Sequence, residues 1–229
     1  MEIRNRLLAL ANRDEMAELE PHLERISLEV GDPLIDPNEP IRYIWFPETA
    51  LASLVIVLED GTTVESGAVG REGMVGIPIL LGTDRTPMQT VTQVGGDALR
   101  IPSDVMKAMY ERSGPMQHRL NRYVNTLFIV ASQSAACNRR HQVEARLARW
   151  LLMSSDAIGS DEVGITQEYL AAMLGVRRAG VTEAALALQE RGVIRYRRGS
   201  VTIVNRRELE DVACECYSIV RDEYEKMLS

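Results

Sequence analysis

The sequence predicts an α+β protein built from an N-terminal antiparallel β jelly roll, a long central helix and a C-terminal winged helix-turn-helix. Short β-rich runs alternate with turn residues over 41–101, apolar residues recur at helical spacing over 116–137, and a helix-turn-helix pattern fills 167–186. The expected parts are a jelly-roll domain with N-terminal helices (1–112), the central helix (113–138), and the winged helix-turn-helix with a C-terminal helix (139–229).

Residues 7–25 are expected to form one or two short amphipathic helices, because leucine and methionine recur where one helical face can bury them. After Asp32 the pattern changes to short runs rich in β-branched and aromatic residues, divided by turn sequences such as Asp-Gly and Gly-Gly-Asp. These runs are 41–47, 51–58, 62–68, 90–94 and 98–101. Their even spacing favours an antiparallel double sheet, whose interior can hold a small ligand.

Gly114 and Pro115 mark the start of the central helix, since proline in the first turn loses no hydrogen bond. The following residues recur at alternating spacings of four and three, as in a heptad seam, which predicts a dimer interface. This interface would consist of Met116, Leu120, Tyr123, Leu127, Val130 and Ser134. A second apolar line is expected to pack on the protomer's own sheet, namely Val124, Phe128, Ala131 and Ala135. A single core-facing helix would show a stripe of similar width.

Residues 167–186 have the pattern of a helix-turn-helix. Apolar residues occupy the fourth, eighth, tenth, fifteenth and eighteenth positions, which are Leu170, Leu174, Val176, Val181 and Ala184. Gly175 occupies the turn, where positive φ is required. Thr166 is a good N-cap for a first helix over 167–174, and a second helix is predicted over 176–192. The second helix is expected to bury Val181, Ala184, Leu186 and Leu188, or a subset of them.

The second helix carries arginines near its N-terminus, where the helix dipole disfavours cations, so an external anion such as phosphate is expected there. Glu183 has no basic residue at helical spacing and can accept a hydrogen bond from cytosine N4. Residues 193–204 predict two strands around a Gly-Ser turn, a wing whose arginines would follow the phosphate backbone. The predicted DNA-binding residues are Thr166, Gln167, Arg177, Arg178, Thr182, Glu183, Arg195, Arg197 and Arg198. An ordinary αα-hairpin with solvated charges is the alternative.

The net charge of −7 does not by itself suggest a nucleic-acid partner. However, residues 165–207 hold eight arginines and three glutamates, whereas residues 1–110 hold nine basic and eighteen acidic residues. Positive charge is concentrated on the helix-turn-helix and wing, so double-stranded DNA is the expected partner. The acidic residues 208–229 are expected to form a solvated terminal helix.

The sequence has no run of eighteen apolar residues and no signal-peptide pattern, so a cytoplasmic protein without a membrane partner is expected. Three cysteines fit a reducing compartment. Cys137 is isolated, and Cys214 and Cys216 are expected to point to different faces of one helix. No metal site is therefore predicted, and the thiols are expected to be buried or incidental.

The order of these parts resembles the Crp/Fnr family of bacterial transcription regulators over essentially the whole chain. The residues that carry the resemblance are Val30-Gly31-Asp32, Gly70-Arg71-Glu72-Gly73-Met74-Val75-Gly76, and Ile165 to Ala171 continuing to Gly192-Val193-Ile194. The resemblance implies a cyclic-nucleotide-binding-like jelly roll and a sequence-specific DNA-binding regulator, a homodimer on a palindromic operator. It also implies RNA polymerase as a partner, and no enzymatic activity is expected.

Family members that bind cyclic AMP hold the ribose with the carboxylate of Gly-Glu-Leu and the cyclic phosphate with the guanidinium of Arg-Ser-Ala. Here Ile77-Pro78 follows Gly76, and Thr86-Pro87-Met88 replaces Arg-Ser-Ala, with Arg85 one residue away. Loss of both anchors would cost several kcal/mol, at about 1.5–3 kcal/mol for each charged hydrogen bond. Cyclic AMP is therefore not the expected effector, and the cofactor remains unidentified. The candidate effector-binding residues are Gly73, Met74, Val75, Gly76 and Arg85.

Other sensory chemistries lack their ligands in this sequence. The first cysteine is Cys137, which argues against an N-terminal iron–sulfur site. All three histidines lie in predicted helices, which argues against a haem in the jelly roll and against a cupin-like enzyme fused to a DNA-binding domain. Two functions remain: a regulator whose jelly roll senses an unidentified effector, and an effector-independent regulator whose jelly roll is a structural module that contacts RNA polymerase.

The second helix also departs from the Arg-Glu-x-x-x-Arg sequence with which familiar regulators of this family read DNA. Arg178 matches the first arginine, whereas Ala179 and Glu183 replace the glutamate and the second arginine. A different preferred operator is therefore expected.

Overall fold

A computed structural model describes residues 2–59, 63–197 and 199–229. It confirms the α+β class, and the described strand pairs are antiparallel. The strands are β1 (Glu24–Leu28), β2 (Pro33–Ile35), β3 (Tyr43–Pro47), β4 (Leu51–Val57), β5 (Thr63–Val69), β6 (Gln89–Val94), β7 (Gly96–Pro102), β8 (Glu162–Val163), β9 (Ile194–Arg197) and β10 (Ser200–Ile203). The helices are α1 (Arg13–Leu19), α2 (Ser103–Glu111), α3 (Pro115–Arg140), α4 (Val143–Ile158), α5 (Gln167–Leu174), α6 (Arg178–Glu190), α7 (Arg206–Val212) and α8 (Cys216–Leu228). The predicted strand over 62–68 begins at Thr62, and the predicted DNA-binding residues include Arg198. Both residues lie outside the described ranges.

The N-terminal domain is a double sheet of β1-β7-β3 and β2-β6-β4-β5. Both sheets contribute to one core, because alternate residues along a strand point to the same side. Phe46 and Leu99 from the first sheet and Val69 from the second are at most 2% exposed. The sequence analysis does not predict β1, β2 or α2. Both are short edge strands: three of the five residues of β1 are exposed, and β2 has three residues, so neither shows a clear hydrophobic alternation.

The long helix α3 buries the face that the sequence analysis assigns to a dimer interface. The buried residues are Met116, Leu120, Tyr123, Leu127 and Val130, all in the core of their own protomer. Phe128, on the line expected to pack on the sheet, is instead 73% exposed, beside exposed Ala131 and Ala135 and half-buried Val124. The face predicted to form the dimer interface is therefore a core face of the protomer, and the line predicted to pack on the sheet is largely exposed. A heptad stripe shows that a face is covered but does not show which surface covers it.

Ser134, the last residue of the predicted interface, is also engaged within the protomer. It is half-buried, and its hydroxyl accepts a hydrogen bond from Arg149 Nη2 at 3.0 Å. This contact joins the end of α3 to α4 and leaves Ser134 inside the protomer rather than on a free surface.

The C-terminal domain surrounds α4, with Leu151, Leu170 and Leu188 fully buried where α4, α5 and α6 meet. The three-stranded sheet β8-β10-β9 completes it.

The terminal helix α8 is not the solvated helix that the sequence predicts. It packs on both α3 and α4, and its Val220 and Tyr224 join the core of the jelly roll, while its charged residues occupy the other face. No helix in the described ranges is long and apolar enough to cross a membrane.

The jelly roll and the C-terminal domain touch directly at the end of β5. A Cβ atom added to Gly70 would lie 2.4 Å from the Cβ of Ala157 on α4, so the two backbones approach as closely as glycine allows. The neighbouring Arg71 N–H donates to the carbonyl oxygen of Ala157 at 3.0 Å. The end of α4 is therefore held directly against the backbone of the jelly roll.

Glu65 on β5 lies within the same contact. Its carboxylate accepts a hydrogen bond from Ser53 Oγ at 2.6 Å and is close to Trp150 and Arg149 of α4. Desolvation raises the pKa of Glu65 to about 7, against the lowering effect of the hydrogen bonds from Ser53 and Trp150 and of the Arg149 charge. A protonatable carboxyl group thus lies between the two domains.

Candidate DNA-binding surface and ligand pocket

The helix-turn-helix is formed by α5 and α6, and its first helix has the predicted bounds. Thr166 caps α5, with its hydroxyl accepting from the N–H of Tyr169 at 3.3 Å. Gly175 follows in the left-handed region at φ +60°, as the turn requires. The second helix begins two residues later than predicted, with Arg177 as its N-cap.

The side of α6 that faces solvent carries Arg177, Arg178 and Glu183, all exposed. Among the described residues, no carboxylate lies within ion-pair distance of either arginine. Two cations at the positive end of a helix repel its dipole, so this end is suited to bind an anion. Phosphate groups and the acceptor edge of guanine supply such a partner.

Thr182 and Gln167, both predicted to bind DNA, contact each other. The Thr182 hydroxyl lies 3.2 Å from Oε1 of Gln167 and 3.0 Å from the carbonyl oxygen of Arg178, so it has two acceptors for its one proton. The pair links α5 to α6 at the exposed edge of the motif. The side-chain N–H groups of Gln167 have no acceptor among the residues that the structure describes.

Leu186 is a surface residue that the sequence analysis places among the candidates for burial. It is 51% exposed, one helical turn beyond Glu183 on the same side of α6. Val181, Ala184 and Leu188 are buried as predicted. An exposed leucine on this side can make apolar contact with a thymine methyl group, a role that the hydrophobic pattern alone does not reveal.

The hairpin β9–β10 forms the wing beside α6. The N–H of Tyr196 donates to Oε1 of Gln189 at 2.9 Å, which fixes β9 to the end of α6. Arg195 and Arg197 are exposed and have no ion pair among the described residues, whereas Arg198 lies outside them. The wing and the N-terminus of α6 together present unpaired guanidinium groups to solvent.

A buried arginine supports this surface from within. Nη2 of Arg146 on α4 donates to Oδ1 of Asn138 at 2.8 Å and to the carbonyl oxygen of Leu174, which ends α5. Desolvation lowers the pKa of Arg146, and a charge this enclosed requires its acceptors. The contact orients α5, and with it the turn, relative to α3.

A pocket of about 510 Å³ lies between the second sheet of the jelly roll and α3. Met74, Val75, Gly76 and Arg85 line it, as do Phe128 and Ala131 of α3. The fifth predicted effector residue, Gly73, does not line it. Gly73 packs on Tyr123, whose hydroxyl oxygen would lie 2.4 Å from a Cβ at that position.

The pocket is predominantly apolar, and Arg85 is the charged residue among the described residues that line it. Its Nη1 donates to the carbonyl oxygen of Asn38 at 2.6 Å, so the guanidinium is partly satisfied by the protein itself. No carboxylate is present among the lining residues to hold a ribose. The geometry therefore suits an apolar or weakly polar ligand better than a cyclic nucleotide.

Tyr123 connects the pocket loop to α3. Its hydroxyl donates to the carbonyl oxygen of Met74 at 2.9 Å, and burial raises its pKa far above the usual value. The loop that lines the pocket is thus held by the buried face of α3, while the exposed face of the same helix closes the pocket.

The structure corrects one further expectation from the sequence. Cys137, Cys214 and Cys216 are not scattered but meet His141, and one ligand atom from each lies within 4.8 Å of all the others. We call this group the Cys/His cluster. A hydrogen bond with Cys214 is the main reason that the pKa of Cys137 is lowered. The cluster is not evident in the sequence, because Cys137 and Cys214 are 77 residues apart.

Comparison with known proteins identifies the C-terminal part. Residues 145–212 match the family of Crp-like helix-turn-helix domains. No curated protein sequence matches the chain.

Solved structures match most of the chain. A putative Crp/Fnr-family transcriptional regulator from Eubacterium rectale is 19% identical with a TM-score of 0.68, covering 90% of this chain and 96% of its own. FixK2 from Bradyrhizobium japonicum is 13% identical with a TM-score of 0.71, covering 84% and 98%. The c-di-GMP-responsive regulator CLP from Xanthomonas campestris is 16% identical with a TM-score of 0.64, covering 84% and 99%. The chain therefore carries a Crp-like helix-turn-helix domain, and it has the fold of the Crp/Fnr transcription regulators.

Proposed function

We propose that the protein is a homodimeric transcription regulator that binds a palindromic operator with α6 in the major groove and the wing on the phosphate backbone. The observation that carries the proposal is a set of exposed arginines on α6 and the wing that have no ion pair with any residue in the described ranges: Arg177, Arg178, Arg195 and Arg197. These arginines lie on a Crp-like helix-turn-helix domain. Because the chain as a whole has a net charge of −7, this concentration of positive charge on one surface distinguishes that surface from the rest of the protein.

Dimerisation is proposed through the exposed side of α3. Phe128 is 73% exposed there, and two exposed small residues, Ala131 and Ala135, follow it at helical spacing. Small residues beside one aromatic side chain allow two helices to approach closely while each phenylalanine packs on the partner helix. A twofold pair places two recognition helices one DNA turn apart, about 34–36 Å for regulators of this type.

The pocket supports effector sensing, because Phe128 and Ala131 line it and also belong to the proposed dimer face. A ligand in the pocket would contact side chains that the second protomer covers. It would therefore bind one arrangement of the dimer more tightly than another, which is what sensing requires. An apolar or weakly polar molecule fits the lining best. In the alternative function, the jelly roll only supports the dimer and contacts RNA polymerase, and no ligand alters DNA affinity.

Selection of genomic fragments by the purified protein, at near-physiological salt, tests DNA recognition and supplies the operator. On that operator, Arg178→Ala is expected to weaken binding by about 1–3 kcal/mol and to relax specificity at one guanine position. Arg197→Ala is expected to weaken operator and random DNA alike and to lower the salt dependence by about one phosphate contact. Titration of both variants on both DNAs measures these effects. Equal losses on operator and random DNA for both variants would refute the assignment of α6.

A further inference from the structure

The Cys/His cluster brings together two distant parts of the chain. Cys137 lies in the last turn of α3, and His141 is the C-cap four residues later, so both side chains emerge on one side of the helix. Cys214 and Cys216 flank the start of α8 after the break from α7. The cluster therefore spans the α3–α4 junction and the α7–α8 junction.

Two distances within the cluster are close to those around a single tetrahedral ion, and all four ligand atoms lie within 4.8 Å of one another. Cys137 Sγ lies 3.5 Å from Cys214 Sγ, and Cys216 Sγ lies 3.5 Å from Nδ1 of His141. Zinc–sulfur bonds of about 2.3 Å in tetrahedral geometry place two sulfurs roughly 3.7 Å apart. A disulfide needs its sulfurs at about 2.05 Å, and the cysteines are free here.

The surroundings favour metal ligation over simple burial of three thiols. Nε2 of His141 lies 3.2 Å from a carboxylate oxygen of Glu215, so the carboxylate orients the ring and leaves Nδ1 facing the sulfurs. Such carboxylate–histidine pairs commonly support zinc ligands. Gln133 Nε2 donates to Cys216 Sγ at 3.1 Å, and an amide donor stabilises a sulfur that carries negative charge.

Charge is balanced around the cluster as well. Three thiolates and one divalent cation leave one net negative charge, and Arg146 and Arg149 lie near enough to interact electrostatically with the sulfurs. Sulfur-rich sites select zinc over magnesium or calcium. An iron–sulfur cluster divides its protein ligands between different iron atoms, which holds them farther apart than the 4.8 Å found here.

We propose that Cys137, His141, Cys214 and Cys216 bind one zinc ion as a closed structural site. The ion joins the end of α3 to the start of α8 and so fixes the direction in which α4, and the DNA-binding domain, leaves the long helix. All four coordination positions are filled by the protein, so the site holds structure and has no open position for substrate.

The test is elemental analysis of untagged protein, purified with reductant and dialysed after zinc loading. One zinc per chain is expected, and mercurial modification of the thiols should release it in equal amount. Cys137→Ser and Cys216→Ser should lose the zinc, whereas His118→Gln, which changes a histidine outside the cluster, should retain it. Should the serine variants fail to fold, cobalt substitution of the wild-type protein decides the matter, through the absorption of thiolate-bound tetrahedral cobalt.

Three results would overturn the proposal. The first is wild-type protein that is folded and reduced yet retains no zinc after dialysis and shows no thiolate–cobalt absorption. The second is stoichiometric iron with visible absorption, which would assign a cluster instead. The third is a mass two units below the reduced value after purification with reductant, which would show a stable disulfide between two of the cysteines.

Discussion

Phe128→Asp is expected to convert the protein from a dimer to a monomer at micromolar concentration and to abolish its preference for a palindromic operator. Each dimer would lose two buried phenylalanine side chains, at about 1.5–3 kcal/mol each, and would have to desolvate two carboxylates. The hydrophobic loss alone corresponds to a roughly 100- to 10,000-fold weaker dimer. Sedimentation equilibrium measures the change, and DNA titration measures its consequence.

Val30→Asp is the matched control, because Val30 is 63% exposed between β1 and β2 of the jelly roll and does not belong to α3. It should remain dimeric, and both variants should unfold at temperatures close to that of the wild type, since neither side chain is buried in the protomer. A Phe128→Asp protein that sediments as the wild type does would show that the dimer, if one forms, uses another face.

Gly70→Ala is expected to destabilise the protein by about 1–3 kcal/mol, the usual range for an added methyl group in a close-packed contact. The new Cβ would lie 2.4 Å from Ala157 Cβ and 2.8 Å from both Ala157 Cα and its carbonyl oxygen. Two of these atoms belong to the backbone of α4, so relief requires a shift of the helix rather than of a side chain. The hydrogen bond from Arg71 N to the same carbonyl would lengthen with it.

Gly67→Ala provides the control, three residues earlier and within β5. Its Cβ would find Leu54 Cδ1 at 3.9 Å, which is ordinary van der Waals contact. Thermal unfolding should separate the two variants by several degrees, since about 1 kcal/mol shifts the midpoint by roughly 2–4 °C in a protein of this size. Equal midpoints would mean that the domain contact adjusts without strain.

Local sequence signals predict the helix-turn-helix closely. The cap at Thr166, the turn glycine Gly175 and the apolar spacing between them are all determined within twenty residues, and α5 has the predicted bounds. The jelly-roll class also follows from strand spacing. The edge strands β1 and β2 do not, because an edge strand with exposed residues lacks the alternation that reveals a central one.

Features that depend on distant contacts could not be predicted from sequence. The stripe on α3 identifies a buried face, but only the fold shows that the protomer's own jelly roll covers Leu120 and Tyr123. The Cys/His cluster joins residues from two helix ends, and neither half alone has a recognised ligand spacing. Leu186 satisfies the helical pattern of a buried residue, yet the packing of α6 leaves it exposed.

The carboxyl group of Glu65 makes the contact between the two domains dependent on pH. Its pKa is about 7 where the domains meet and 4.5 when exposed to water, so the folded, docked state binds the proton more tightly. The stability this contributes is complete below pH 4.5 and is lost as the pH rises through 7. Because Glu65 is only half-buried, solvent screening reduces this contribution to the free energy of unfolding to on the order of 1–2 kcal/mol.

Urea unfolding at pH 5 and pH 8 is expected to show this loss in the wild type and a smaller one in Glu65→Gln, whose amide does not titrate. An identical pH dependence in both proteins would exclude Glu65 as its source. The coupling between protonation of Glu65 and the domain contact also works in reverse, so that a change in the contact changes proton binding. Any rearrangement that pulls the DNA-binding domain away from the jelly roll near neutral pH must release a proton to solvent, so the acidity of the surroundings enters directly into the equilibrium between the two arrangements.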